Sequence, residues 1–163
     1  MDYKGIAVEA IVNTAEEMLG KKIKCGESSE MKSPLEVENF AIIVGIAGQV
    51  AGPIIFGFQE EVVNNITSHM IGQETKELDD LTLSAIAEFA NVLSGHVTID
   101  LVDSGCSKKL GMSPPSIIMG KDLKISTKIQ PIQKVKLEME EYGNMSIYIA
   151  LQEKKESKEG EKE

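Results

Sequence analysis

Ser84, Glu88, Asn91 and Gly95 stand in the stretch "SAIAEFANVLSG" at steps of four, three and four residues. On a helix advancing about 100° per residue they share a strip roughly 60° wide. Leu83, Ile86, Phe89, Ala90 and Leu93 fall on the opposite side, so the core is expected there. The carboxylate and the amide therefore project away from the core. A solvated helix face usually bears several long charged residues paired at i,i+4. From Leu81 to Val97 the only formal charge is Glu88, and its neighbours on the strip are small. Such a low-profile face suits close approach by another protein, but the spacing alone leaves a solvated face and a site both open.

Other residue types offer less. The Gly-rich "GIAGQVAGP" has neither dinucleotide nor Walker spacing and leads into an extended segment, so a hairpin turn is expected rather than a phosphate cradle. His69 and His96 have no second ligand at metal spacing and are read as structural. Cys25 and Cys106 match no metal or redox pattern and are expected to be free thiols. No nucleophile elbow occurs, and neither cysteine has a histidine close by. Met112, Met119, Met139 and Met145 are read as core filler. No metal site of the chain's own is predicted.

The elements that position the strip can be read from periodicity. A first helix runs from about Tyr3 to Gly20, with glycine as its stop. The polar stretch "KCGESSEMKSPLEVE" shows no usable period and is expected to be a connection. Strands follow at Phe40 to Ile46 and Pro53 to Phe58, then a second helix over "QEEVVNNITSHMIG". The long helix is predicted from about Leu78 to Val102, with "ELDD" supplying the N-cap and first-turn carboxylates. "SPPSIIMG" reads as extended. "LKISTKIQPI" and "KVKLEMEEYGNMSIYIALQ" read as two or three strands with a turn at "EYGN". A helix followed by a strand pair occurs in both halves, which predicts an α+β domain of two related units.

One domain is expected over residues 1–152, with residues 153–163 forming a disordered charged tail. The net charge of −9 argues against a nucleic-acid partner, because no basic surface is available to displace counterions. The N-terminus lacks the charged-then-apolar form of a signal peptide. The longest apolar run is broken by Gly45, Gly48, Gly52, Pro53 and Gly57, so a hairpin is expected rather than a membrane span. A cytoplasmic location is the expectation.

"LSAIAEFANVLSG" resembles the Ser/Asp-x-x-x-Glu-x-x-Asn signature of the CheC/CheX/FliY chemotaxis phosphatases. The resemblance extends to "GIAGQVAGPIIFGF", "EEVVNNITSHMIGQE" and "SPPSIIMGKDLKI", and so over residues 3–150. It implies an α+β domain in which a long motif-bearing helix packs on a mostly antiparallel sheet. It implies dephosphorylation of a CheY-like receiver whose aspartyl phosphate and Mg²⁺ belong to the receiver, so that no cofactor is needed here. By this resemblance Asn91 orients the attacking water and Glu88 docks on the receiver's lysine. Ser84 and Gly95 contribute to the contact. Aligning "MLGKKI" of the first helix with "VLSGHVTI" sets Thr14 near Glu88 and Glu17 near Asn91, so a first copy of the signature is absent, as in CheX-like members. That pattern implies a homodimer formed through the sheets. A non-catalytic receiver-binding or flagellar switch-type assembly module of the same fold is the alternative.

Overall fold

The computed structural model describes residues 1–106 and 108–154. Helix α1 (Tyr3–Leu19) starts where the Asp2 carboxylate accepts the Gly5 N–H and ends at Gly20, whose positive φ turns the chain. Strands β1 (Ile23–Met31), β2 (Leu35–Glu36), β3 (Phe40–Gly48) and β4 (Val50–Phe58) follow. Helix α2 (Glu60–Ile71) ends at Gly72, and α3 (Asp80–Asp103) is the longest element. The chain finishes with β5 (Leu110–Met112), β6 (Ser116–Met119), β7 (Lys124–Ile125), β8 (Ile132–Met139), β9 (Gly143–Ile149) and β10 (Gln152–Glu153).

The main sheet has the order β1-β8-β9-β4-β3-β5, with β6 beside β3 and β10 beside β4. Its pairings are antiparallel. Phe40, Ile42, Val44 and Ile46 of β3 alternate onto the helix side, where Ile54, Phe56 and Phe58 of β4 join them. Val135 and Leu137 from β8, with Met145, Ile147 and Ile149 from β9, complete that face. The opposite face is capped by the small β2–β7 ribbon over Leu35, Ala41, Ile55, Ile132 and Tyr148. There the Tyr148 hydroxyl donates to Glu38 Oε1 at 2.5 Å, and Glu38 Oε2 is buried without a partner among the described residues.

The two related units are visible in the topology. The series α1, β1, β3, β4 corresponds to α3, β5–β6, β8, β9, and the sheet order is palindromic about the β4–β9 pair. Each unit lends its first strand to the other: β1 pairs with β8, while β5 and β6 pair with β3. The α+β expectation therefore holds.

Five details differ from the sequence reading. The stretch from Ile23 to Met31 is an edge strand and not a connection; Ile23 alone is buried there, so no apolar alternation marks it. The Gly-rich segment is a hairpin whose strands run to Gly48 and resume at Val50, tighter than expected. In "LKISTKIQPI" only Lys124–Ile125, paired with β2, and the final Ile132, which opens β8 opposite Met31, belong to strands. Met139 and Met145 are core residues, but Met112 and Met119 are exposed. The predicted tail lies outside the described residues from position 155, whereas Glu153 pairs with Val50.

Candidate functional site

Helix α3 is fixed at its start by Asp79, whose carboxylate accepts the Thr82 N–H at 2.9 Å. That bond holds the Asp79 carboxyl below its usual range, since it favours the charged form. Thr82, Ile86, Phe89, Ala90, Leu93, Ser94, Val97 and Leu101 are buried against α1, α2, β3 and β5. Ser84 and Glu88 are exposed, and Asn91 and Gly95 are half-buried. The strip thus faces outward as its periodicity requires.

The fold brings a wall to this strip that the sequence does not announce. Residues 112–115 run beside α3, and Ser84, Ala87, Glu88, Asn91, Met112 and Pro115 are among the lining of an open concavity of about 510 Å³. The wall is held rigidly. The Ser113 N–H donates to Gly45 O at 2.8 Å, and the Gly45 N–H donates to Ser113 Oγ at 2.8 Å. Two successive prolines then restrict the backbone. Met112, read as core, is a rim residue of this concavity. The only sequence signal for it was the Pro-Pro pair.

Among the described residues the side chains of Ser84, Glu88 and Asn91 take no hydrogen bond or ion pair, so their polar groups point at solvent ready to be used. Glu88 and Asn91 are one helical turn apart, with Cβ atoms about 5–6 Å from each other. The arrangement offers one anion and one neutral amide side by side. Among the described residues no base accepts from the Ser84 hydroxyl, and no cluster of His, Cys, Asp and Glu is suited to a metal ion. His69 is structural: its ring joins the Met18 carbonyl (3.1 Å) to the Tyr142 hydroxyl (3.0 Å). His96 is exposed on α3. Cys25 and Cys106 are free, and partial burial raises the Cys106 thiol.

The first unit preserves the site's outline and corrects the register between the helices. Gly5, Val8, Glu9 and Val12 of α1 line a second concavity with Cys25, Gly26 and Ser28 of β1. Their spacing repeats that of Ser84, Ala87, Glu88 and Asn91. The same offset superposes buried Ala7, Ala10, Ile11, Thr14 and Ala15 on buried Ile86, Phe89, Ala90, Leu93 and Ser94. Thr14 is therefore a core residue and cannot match Glu88; Glu9 and Val12 occupy the Glu88 and Asn91 positions. The first unit keeps the acid but has valine where the amide would be, so α3 alone carries the complete pair.

A two-unit α+β domain with a Glu-x-x-Asn pair on an outward helix is the arrangement that the resemblance to the CheC/CheX/FliY class leads one to expect. Residues 40–140 match the family described as chemotaxis phosphatase CheX, and the chain belongs to that family. It is 32% identical over 122 residues to the CheY-P phosphatase CheX of Thermotoga maritima, covering 74% of this chain and 77% of that one. A chemotaxis protein CheX from Desulfovibrio desulfuricans superposes with a TM-score of 0.79 at 22% identity, over 94% of this chain and 100% of its own. The Borrelia burgdorferi CheX in a CheX–CheY–BeF3–Mg²⁺ complex gives 0.76 at 24% identity, over 94% and 99%.

Proposed function

We propose that this chain accelerates hydrolysis of the aspartyl phosphate of a CheY-like response regulator, and that Asn91 and Glu88 carry that activity. The observation that bears most weight is the unpartnered Glu88–Asn91 pair, set outward on a rigid helix above an open concavity. An acyl phosphate needs an in-line water, and an amide can orient one without repelling the phosphoryl oxygens. It is the role that a glutamine plays in GTPases. Asn91 fills it here, while Glu88 pairs with the receiver's active-site lysine and sets the angle of approach. Ser84 and Gly95 complete the contact surface.

Mg²⁺ belongs to the receiver in this reading, which the composition of the Borrelia complex supports. A soluble, cytoplasmic protein of two-component signalling is the matching location. Helix α3 is long and apolar enough to cross a membrane by length and composition, but its apolar residues are shared between the core and a site face that carries the Glu88 carboxylate. A homodimer through the sheets would use unpaired sheet edges such as that of β1.

The test is decay of a phosphorylated receiver under single-turnover conditions at increasing concentrations of this protein. Glu88→Ala should raise the half-saturating concentration, and Asn91→Ala should lower the plateau rate. An unchanged plateau for Asn91→Ala removes the catalytic assignment.

A further inference from the structure

We infer that Leu81, Ile99 and Met112 form an apolar rim around the Glu88–Asn91 pair, and that this rim grips an apolar patch beside the receiver's phosphorylation site and decides which receiver is accepted. The inference rests on the phosphatase reading above and extends it to selectivity.

Large apolar side chains exposed to solvent are few among the described residues: Met1, Leu81, Ile99, Met112 and Met119. Scattered singly, such residues are ordinary. Three of these five flank the same strip of α3, Leu81 and Ile99 towards its two ends and Met112 beside it. On α3, Leu81 and Ile99 each lie about 20° from the Glu88 meridian, roughly 10 Å before it and roughly 16 Å after it along the axis. They are 54% and 51% exposed. Met112 closes the flank from the pinned wall and reaches over Gly95, where an added Cβ would meet its Cε at 3.9 Å. The polar pair is thus bracketed at both ends and along one side by uncovered apolar groups.

Their arrangement fits one occupant. Between Leu81 and Val97 helix α3 carries a single charge, Glu88, with Asp100 and Asp103 beyond it near Ile99, so this stretch of the helix matches a partner face that is apolar around one cation. A receiver's phosphorylation site, with its lysine, meets that description where the surrounding surface is apolar. The division of labour also follows from chemistry. The phosphoryl group and the lysine are common parts of the reaction, so Asn91 and Glu88 cannot tell one receiver from another. Discrimination needs contacts outside those two groups, and apolar anchors around a polar centre supply it by fit and by the penalty for burying a mismatched polar group.

The experiment compares the unmodified protein with Leu81→Ser and Ile99→Ser against several phosphorylated receivers from one organism, with Asn91→Ala in parallel. Both positions are exposed, and unchanged unfolding midpoints verify that the variants fold. For the preferred receiver each serine variant should raise the half-saturating concentration about tenfold, with less than a twofold change in plateau rate. The preference among receivers should narrow as well. Asn91→Ala should show the reverse split. If Asn91→Ala lowers the plateau while both serine variants keep the original half-saturation for every receiver, the rim plays no part in docking and the inference fails, although the phosphatase reading stands. If the unmodified protein accelerates the decay of no receiver, that reading fails first and takes the rim with it. Loss of self-association by the serine variants in sedimentation, or loss of binding to phosphatidylglycerol vesicles, with receiver kinetics intact, would assign these residues to a second copy or a lipid surface and equally overturn the inference.

Discussion

Gly95→Ala sets the fold's interest against the site's. Gly95 lies well inside the 24-residue helix α3, where glycine is less favourable than alanine by about 0.5–1 kcal/mol. Nothing within the chain demands glycine there. Its φ is not left-handed, and an added Cβ meets only Met112 Cε at 3.9 Å, an ordinary contact. Gly95→Ala should therefore stabilise the protein by about 0.5–1 kcal/mol. For a domain of this size that raises the unfolding midpoint by about 2–4 °C per kcal/mol. The same methyl stands on the strip one turn from Asn91. A receiver seated in contact with the strip must retreat by about an ångström or more, and displacement on that scale costs up to about 10²-fold in rate. Differential scanning calorimetry and single-turnover dephosphorylation on the same preparation test both halves. A more stable variant with unchanged dephosphorylation would show that no partner covers the strip, and would refute the reasoning for Gly95 and the low-profile face. A variant that is not stabilised would show that glycine serves the fold after all.

Asn91→Asp keeps the shape of the side chain but adds a second anion about 5–6 Å from Glu88. Their repulsion is about 0.8 kcal/mol in open water and about 3 kcal/mol in a partly desolvated complex, so the variant should bind the phosphorylated receiver more weakly than Asn91→Ala in a titration. Thermal stability of Asn91→Ala should stay within about 0.5 kcal/mol of the original, since the side chain has no partner to lose. Burial, and then the bond to Glu38, raise the Tyr148 hydroxyl above its ordinary value of 10. The associated stability is complete below that value and is lost as pH rises through the folded value, so alkaline unfolding curves should steepen above about pH 10 and flatten in Tyr148→Phe. At neutral pH the same variant strands the Glu38 carboxylate and should cost about 1–3 kcal/mol by denaturant titration. The Asp79 carboxyl is depressed from its ordinary value of 3.8, so its contribution is present above that pH and disappears as pH falls through the folded value. Asp79→Asn, which can still cap, should lose that acid-side dependence, while Asp79→Ala should lower the midpoint at neutral pH.

Local signals carried much of this molecule. The stops at Gly20 and Gly72, the cap at Asp79 and the alternation in β3, β4, β8 and β9 are legible because each depends on neighbours a few residues away. The outward strip of Ser84, Glu88, Asn91 and Gly95 is legible for the same reason, since helical period alone sorts it from Ile86, Phe89 and Leu93. What only the tertiary structure decided is non-local. Strand β1 exists because β8 offers it a partner, and an edge strand with one buried side chain leaves no apolar pattern to read. Met112 became a rim residue because β5 crosses to pair with β3 and carries the Ser113–Pro115 wall up against α3. The register between the two units could not be taken from the matching ends of α1 and α3; burial placed Glu9 and Val12 over Glu88 and Asn91, and Thr14 in the core. Periodicity shows which way a side chain points, but what stands opposite it depends on strands that meet across the chain.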